Sequence, residues 1–177
     1  MKNKSLFYLL FTFLAFSYTL YAQECGFDEN EKLDKSEKKL DWFVKKLKKQ
    51  GLVITNDKND IPLKVKEQLD CYTNGFDLAN PGEKYQGGCI VEEDVPSREL
   101  TLLAKTKEYL IISYNTYALG SSGHDIWIKY DETGITDFWS GSNMARFLLA
   151  SRFELIKYIE ETESINKNKY RYINNNN

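Results

Sequence analysis

The chain has 177 residues, 24 basic against 26 acidic, and one histidine. That balance carries no basic surplus for a nucleic-acid backbone, which argues against nucleic acid as a partner. A single histidine and three scattered cysteines lack the tight ligand pairs that structural zinc sites use, so neither a metal nor another cofactor is expected.

The chain begins Met1-Lys2-Asn3-Lys4, followed by an uncharged run from Ser5 to Leu20 and then Tyr21-Ala22-Gln23. A short basic start, an apolar core and a small residue near the exit predict a secretory signal peptide over residues 1–22. The competing reading is a retained anchor, but Leu6–Ala22 sits at the lower limit of the roughly 17–25 residues needed to cross a bilayer. Cys25 follows Glu24 and is not placed for lipidation. Removing 22 residues from 177 leaves 155, enough for one domain, expected over 23–165. Losing Lys2 and Lys4 leaves 22 basic residues against 26 acidic, a net charge of −4. No later run reaches membrane-spanning length, so the processed chain is expected in the periplasm or outside the cell, without stable membrane insertion.

Leu33, Leu40, Phe43, Val44 and Leu47 share one stripe, which predicts a helix over 29–50. Acidic residues lie early and lysines late, complementing the helix dipole, and Gly51 supplies a stop. Leu52–Thr55 suits a short strand. Pro62 opens a second helix carrying Val65, Leu69 and Tyr72, closed by Asn74-Gly75. Residues 76–94 are irregular, and their aromatics, Phe76 and Tyr85, predict packing on the domain. Residues 97–106 alternate as in a strand but would tolerate a helix; a strand is favoured.

The densest signal runs from Lys107 to Gly141. Three β-branched and aromatic runs separated by turn residues predict an antiparallel meander. Leu110-Ile111-Ile112 reads as a central strand, and Asp131-Glu132-Thr133-Gly134 as a hairpin turn. Strict alternation puts Ile126, Ile128 and Tyr130 on one face and Asp125, Trp127 and Lys129 on the other, which is expected to be surface or groove. After the turn it groups Ile135, Asp137 and Trp139. Gly120–Gly123 reads as a flexible connection. A long helix is expected over 143–164, with Ser142 or Asn143 as its cap and Leu155, Ile156 and Ile159 buried. The Asn-rich residues 166–177 are expected to fray. The fold class is therefore α+β: one antiparallel sheet of about four strands, two N-terminal helices and one long C-terminal helix.

Three cysteines, Cys25, Cys71 and Cys89, allow one bridge in three pairings; Cys71–Cys89 is favoured because both flank the irregular loop. Cys89, His124 and Asp137 occur in the order nucleophile, base and orienter of a thiol-dependent acyl transferase. His124 opening a strand, with Asp137 on the next, resembles the His and Asp strands of transglutaminase-like folds, and the resemblance implies Cys89 as the nucleophile. That family sets its cysteine at a helix start, whereas Ile90-Val91-Glu92-Glu93-Asp94-Val95-Pro96 follows Cys89. The stronger reading is non-catalytic. Tyr114, Tyr117, Trp127 and Trp139 cluster in the meander and would suit a protein partner if they line an open sheet face. A small exported binding protein, of inhibitor, immunity or envelope-associated type, is the expectation.

Overall fold

A computed structural model describes residue 25, residues 37–87, 92–117, 120–143 and 154–162, and residue 164. The expected signal peptide, the start of the first helix, Cys89, residues 144–153 and the C-terminal tail lie outside the described residues.

The order is α1 (Glu37–Leu47), β1 (Val53–Ile54), a 3-10 turn (Lys58–Asp60), α2 (Leu63–Thr73), β2 (Leu78–Ala79), β3 (Arg98–Lys105), β4 (Tyr109–Tyr117), β5 (Ser121–Asp131), β6 (Gly134–Asn143) and a helix over 154–162, here α3. Helices and an antiparallel sheet are both present, so the α+β class holds. The sheet has six strands rather than about four. Its main path is β1-β3-β4-β5-β6, and β2 joins β3 in parallel beside the stretch that β1 leaves free. The two additional pairings are each only two residues long, too short to leave an alternation in sequence.

Residues 98–105 form a strand. β4 is central, and Leu110, Ile111 and Ile112 are fully buried, because helices cover both faces of the sheet. One face packs Leu40, Phe43, Val44 and Leu47 of α1 and Leu155 and Ile159 of α3 on Leu102, Ile111, Trp127 and Trp139. This is the α1 face. The other packs Val65 and Leu69 of α2, with Ile61, Phe76 and Leu78, on Leu100, Leu103, Leu110, Ile112, Ile128 and Phe138. This is the α2 face.

Two bulges set which residue joins which face. Between β3 and β4 the register shifts at Thr101, so Leu100 points to the α2 face and Leu102 to the α1 face. Between β5 and β6, Lys129 pairs with Asp137 but Tyr130 pairs with Ile135, leaving Thr136 as the extra residue. Strict alternation therefore misplaces Ile135. It packs with Phe138 on the α2 face, not with Asp137 and Trp139.

Three local expectations change. Ser121–Gly123 belong to β5 rather than to a loop, because β4 and β5 stay paired out to Tyr117 and Ser121. Ser142 and Asn143, expected as helix caps, are the last residues of β6, paired with His124 and Gly123. Ile156 is 36% exposed, on the outer side of α3.

α1 ends at Leu47 and unwinds through i+3 bonds from Lys49 and Gln50 before reaching Gly51. α2 ends as Asn74-Gly75 predicts. Asn74 takes the left-handed conformation at φ 53°, and the Gly75 amide bonds the Asp70 carbonyl at 2.7 Å. Cys71, in the last turn of α2, is joined to Cys25. The expected Cys71–Cys89 bridge is thus replaced: Cys71 is already paired with a residue 46 positions earlier. Proximity in sequence is the wrong guide, because the fold brings Cys25 to α2. A loop of that length makes the bridge worth about 2–4 kcal/mol.

Candidate functional site

The second helix is lightly held. Only Val65 and Leu69 of its eleven residues are buried, and Tyr72, expected on the same stripe, is 37% exposed. Leu63 at its start is 69% exposed, the most exposed large apolar side chain described. Burying such an apolar side chain against a partner would release about 1.5–3 kcal/mol.

Leu63 borders an open cleft of about 780 Å³ between the 3-10 turn, α2 and the loop that follows it. Ile61, Leu63, Phe76, Leu78 and Pro96 supply its apolar part, and Lys58, Lys66, Asp70 and Asp77 its charges. Those charges are already matched. Lys58 pairs with Glu83 at 2.8 Å, and Lys66 with Asp70 at 2.5 Å. Asp77 accepts from Arg98 at 2.7 Å and from the Ser97 amide at 2.8 Å. Burial works to raise the Asp77 pKa, but the Ser97 hydrogen bonds and the Arg98 charge outweigh it and hold the carboxyl below its usual value. The hydrogen bond from Lys58, helped by the Asn80 amide, lowers that of Glu83. The backbone is pinned as well. Asp70 accepts the Phe76 amide at 2.9 Å, and Asn80 Oδ1 accepts the Lys58 amide at 2.7 Å. The cleft is a shaped apolar surface framed by self-neutralised charge.

Behind Phe76 a stack of flat groups runs across the α2 face. The Arg98 guanidinium lies 5.2 Å from the Phe76 ring and 5.8 Å from that of Tyr114. Tyr114 in turn stacks on His124, centroids 5.2 Å apart and planes 20° apart. His124 Nε2 sits 3.2 Å from Thr116 Oγ1. Burial, then the Arg98 charge, lowers the histidine pKa. Both effects favour the neutral ring, which lies stacked on Tyr114.

His124 and Asp137, two members of the alternative acyl-transfer trio, do not come together. His124 pairs with Ser142 and looks to the α2 face. Asp137 pairs with Lys129 further along the hairpin and forms an ion pair with Lys39 of α1, on the opposite face. A β-sheet separates base from orienter, whatever the position of Cys89. Among the described residues no group of three His, Cys, Asp or Glu is placed to hold a metal ion.

The four aromatic candidates divide. Trp127 and Trp139 are 0% and 1% exposed, tilted against each other with ring centroids 5.2 Å apart beneath α1 and α3, so they build the core rather than an open face. Both faces are covered, which the alternation alone does not reveal. Tyr114 and Tyr117 are half-buried. Tyr117 packs against Tyr85 at 5.2 Å, and the hydrogen bond between them, with burial and Glu99 nearby, pushes the Tyr85 hydroxyl up to about 12. The cleft residues were missed by the sequence reading. The available signal was Leu63, an apolar residue off the Val65–Leu69 stripe.

No family model, curated protein or solved structure matches this chain.

Proposed function

We propose that this chain is a small exported, non-catalytic binding protein of inhibitor or immunity type, and that its cleft beside α2 receives apolar side chains of a protein partner. The observation that carries this reading is the exposed Leu63 at the rim of a preformed cleft whose charges are already paired. Such a surface gains by covering apolar area and has no uncompensated charge with which to select a small ion. The separation of His124 from Asp137 weighs against the acyl-transfer alternative.

Export is supported by the Cys25–Cys71 disulfide, since such bonds persist in oxidising compartments. Cleavage near Ala22 would leave Cys25 in the processed chain. Among the described residues no helix is long and apolar enough to cross a membrane.

A photo-crosslinking residue at position 63, used in the native host, identifies the partner, which is then purified for calorimetry. Leu63→Asp is expected to weaken that complex by roughly tenfold or more, as loss of a well-packed anchor does. Lys157→Ala, on the exposed side of α3, is the control and should bind normally. Equal affinity of Leu63→Asp and the parent chain would remove the cleft from the interface.

A further inference from the structure

α2 supplies one wall of the cleft through Leu63, Lys66 and Asp70, and the segment after it supplies Gly75, Phe76, Asp77 and Leu78. Phe76 and Leu78 are buried, and Leu78 pairs with Arg98 of β3, whereas the tertiary attachments described for α2 itself are few. Val65 and Leu69 are its buried side chains, and Gln68 Oε1 accepts the Ile135 amide at 2.6 Å. Pro62 at its start makes no side-chain capping bond. An eleven-residue helix is marginal without tertiary support.

The disulfide enters at the far end of that helix. Cys71 adjoins Asp70, whose carboxylate holds the Phe76 amide and whose carbonyl holds the Gly75 amide. The same turn therefore anchors the cross-link and sets the path of the chain into the cleft floor. β3 to β6, by contrast, are joined by long continuous ladders that involve no cysteine among the described residues.

We propose that the Cys25–Cys71 disulfide is a redox latch on the cleft: closed, it holds α2, and with it the Leu63, Lys66 and Asp70 side of the cleft, in place; open, it lets that helix loosen while the sheet, with Phe76 and Leu78 packed on it, stays folded. This rests on the reading of the cleft as the binding surface. Forming the bond removes two protons and two electrons from the Cys25 and Cys71 thiols. A disulfide oxidant of the export compartment accepts them and leaves as its dithiol. The cleft is then completed only after export, and a chain retained in a reducing cytoplasm presents an incomplete surface.

The test is hydrogen exchange read by mass spectrometry on the full processed chain, before and after dithiothreitol, which reduces the bond and leaves as its cyclic disulfide. Reduction is expected to raise exchange over residues 66–75 by about tenfold or more, with β4 and β5 unchanged. Cys71→Ser should reproduce that pattern without reductant. Cys89→Ser should behave as the parent chain, protected when oxidised and responsive when reduced. Unchanged exchange over 66–75 on reduction would overturn the proposal. So would a uniform rise across β3–β6, which would make the bond a staple of the whole fold, or loss of the reductant response in Cys89→Ser. Exchange is measured without a partner, so failure of the latch and failure of the binding surface are separate results.

Discussion

The two faces of the sheet are built from alternate residues of the same strands, yet they do different work. The α1 face is thick. Two helices cover it, Trp127 and Trp139 lie in it with Trp42 packed against it, and it encloses a polar knot. There Asp125, 1% exposed, accepts from Ser113 Oγ at 2.5 Å and from the Tyr158 hydroxyl. The α2 face is thin, with one short helix, two anchoring side chains and an open cleft at its margin. A buried carboxylate is tolerated only where hydrogen bonds satisfy it, so the α1 face is committed to one arrangement. The α2 face keeps apolar surface in reserve. Stability is concentrated on one side of the sheet and available contact area on the other.

Substitutions should follow that division. Trp127→Ala, fully buried on the α1 face, is expected to cost about 3–5 kcal/mol in denaturant unfolding. A cost below that of Val65→Ala on the α2 face would invert the comparison. Tyr158→Phe deletes the donor to Asp125 and is expected to cost about 1–3 kcal/mol.

That tyrosine also sets a pH signature. Burial first, then the Asp125 charge, raises its pKa well above 10.0. A folded-state value above the unfolded one means the unfolded chain loses its proton first. The contribution is complete below about pH 10 and lost as pH climbs toward the folded-state value. Tyr158→Phe should flatten the alkaline part of the stability curve; an unaltered slope would place the effect on the other tyrosines.

Gly134→Ala probes the seam between the faces. Gly134 has φ 116°, and an added Cβ would come within 2.2 Å of Gln68 Oε1, the acceptor of the Ile135 amide. A loss of about 1–3 kcal/mol in thermal unfolding is expected. Smallest is Leu63→Asp, which should stay within about 0.5 kcal/mol of the parent in stability while losing partner affinity. A large loss of stability there would make Leu63 a structural residue.

The meander, α2 and its Asn74-Gly75 stop were legible in sequence because each rests on local pattern: alternation, a proline start and a residue tolerant of left-handed backbone. β1 and β2 were not, since two-residue pairings are decided by the strand they dock on. The faces were harder still. Asp125 looks like a surface residue until Ser113 and Tyr158, far apart in the chain, close around it. His124 and Asp137 look like partners because they lie on consecutive strands; the pleat separates them. The cleft depends on the meeting of the 3-10 turn, α2 and residues 75–78, and only the stray Leu63 marked it.

Thr136 is the one supernumerary residue in the β5–β6 hairpin, and everything from Gly134 to Ile135 owes its orientation to it. Excising that single position would bring Asp137 and Ile135 into plain alternation, with Lys129 and Tyr130 keeping their partners and Ile135 staying beside Phe138. What would turn Ile135 toward the tryptophans is forcing Thr136 flat into the ladder, so the kink in this hairpin matters more than the residue that fills it.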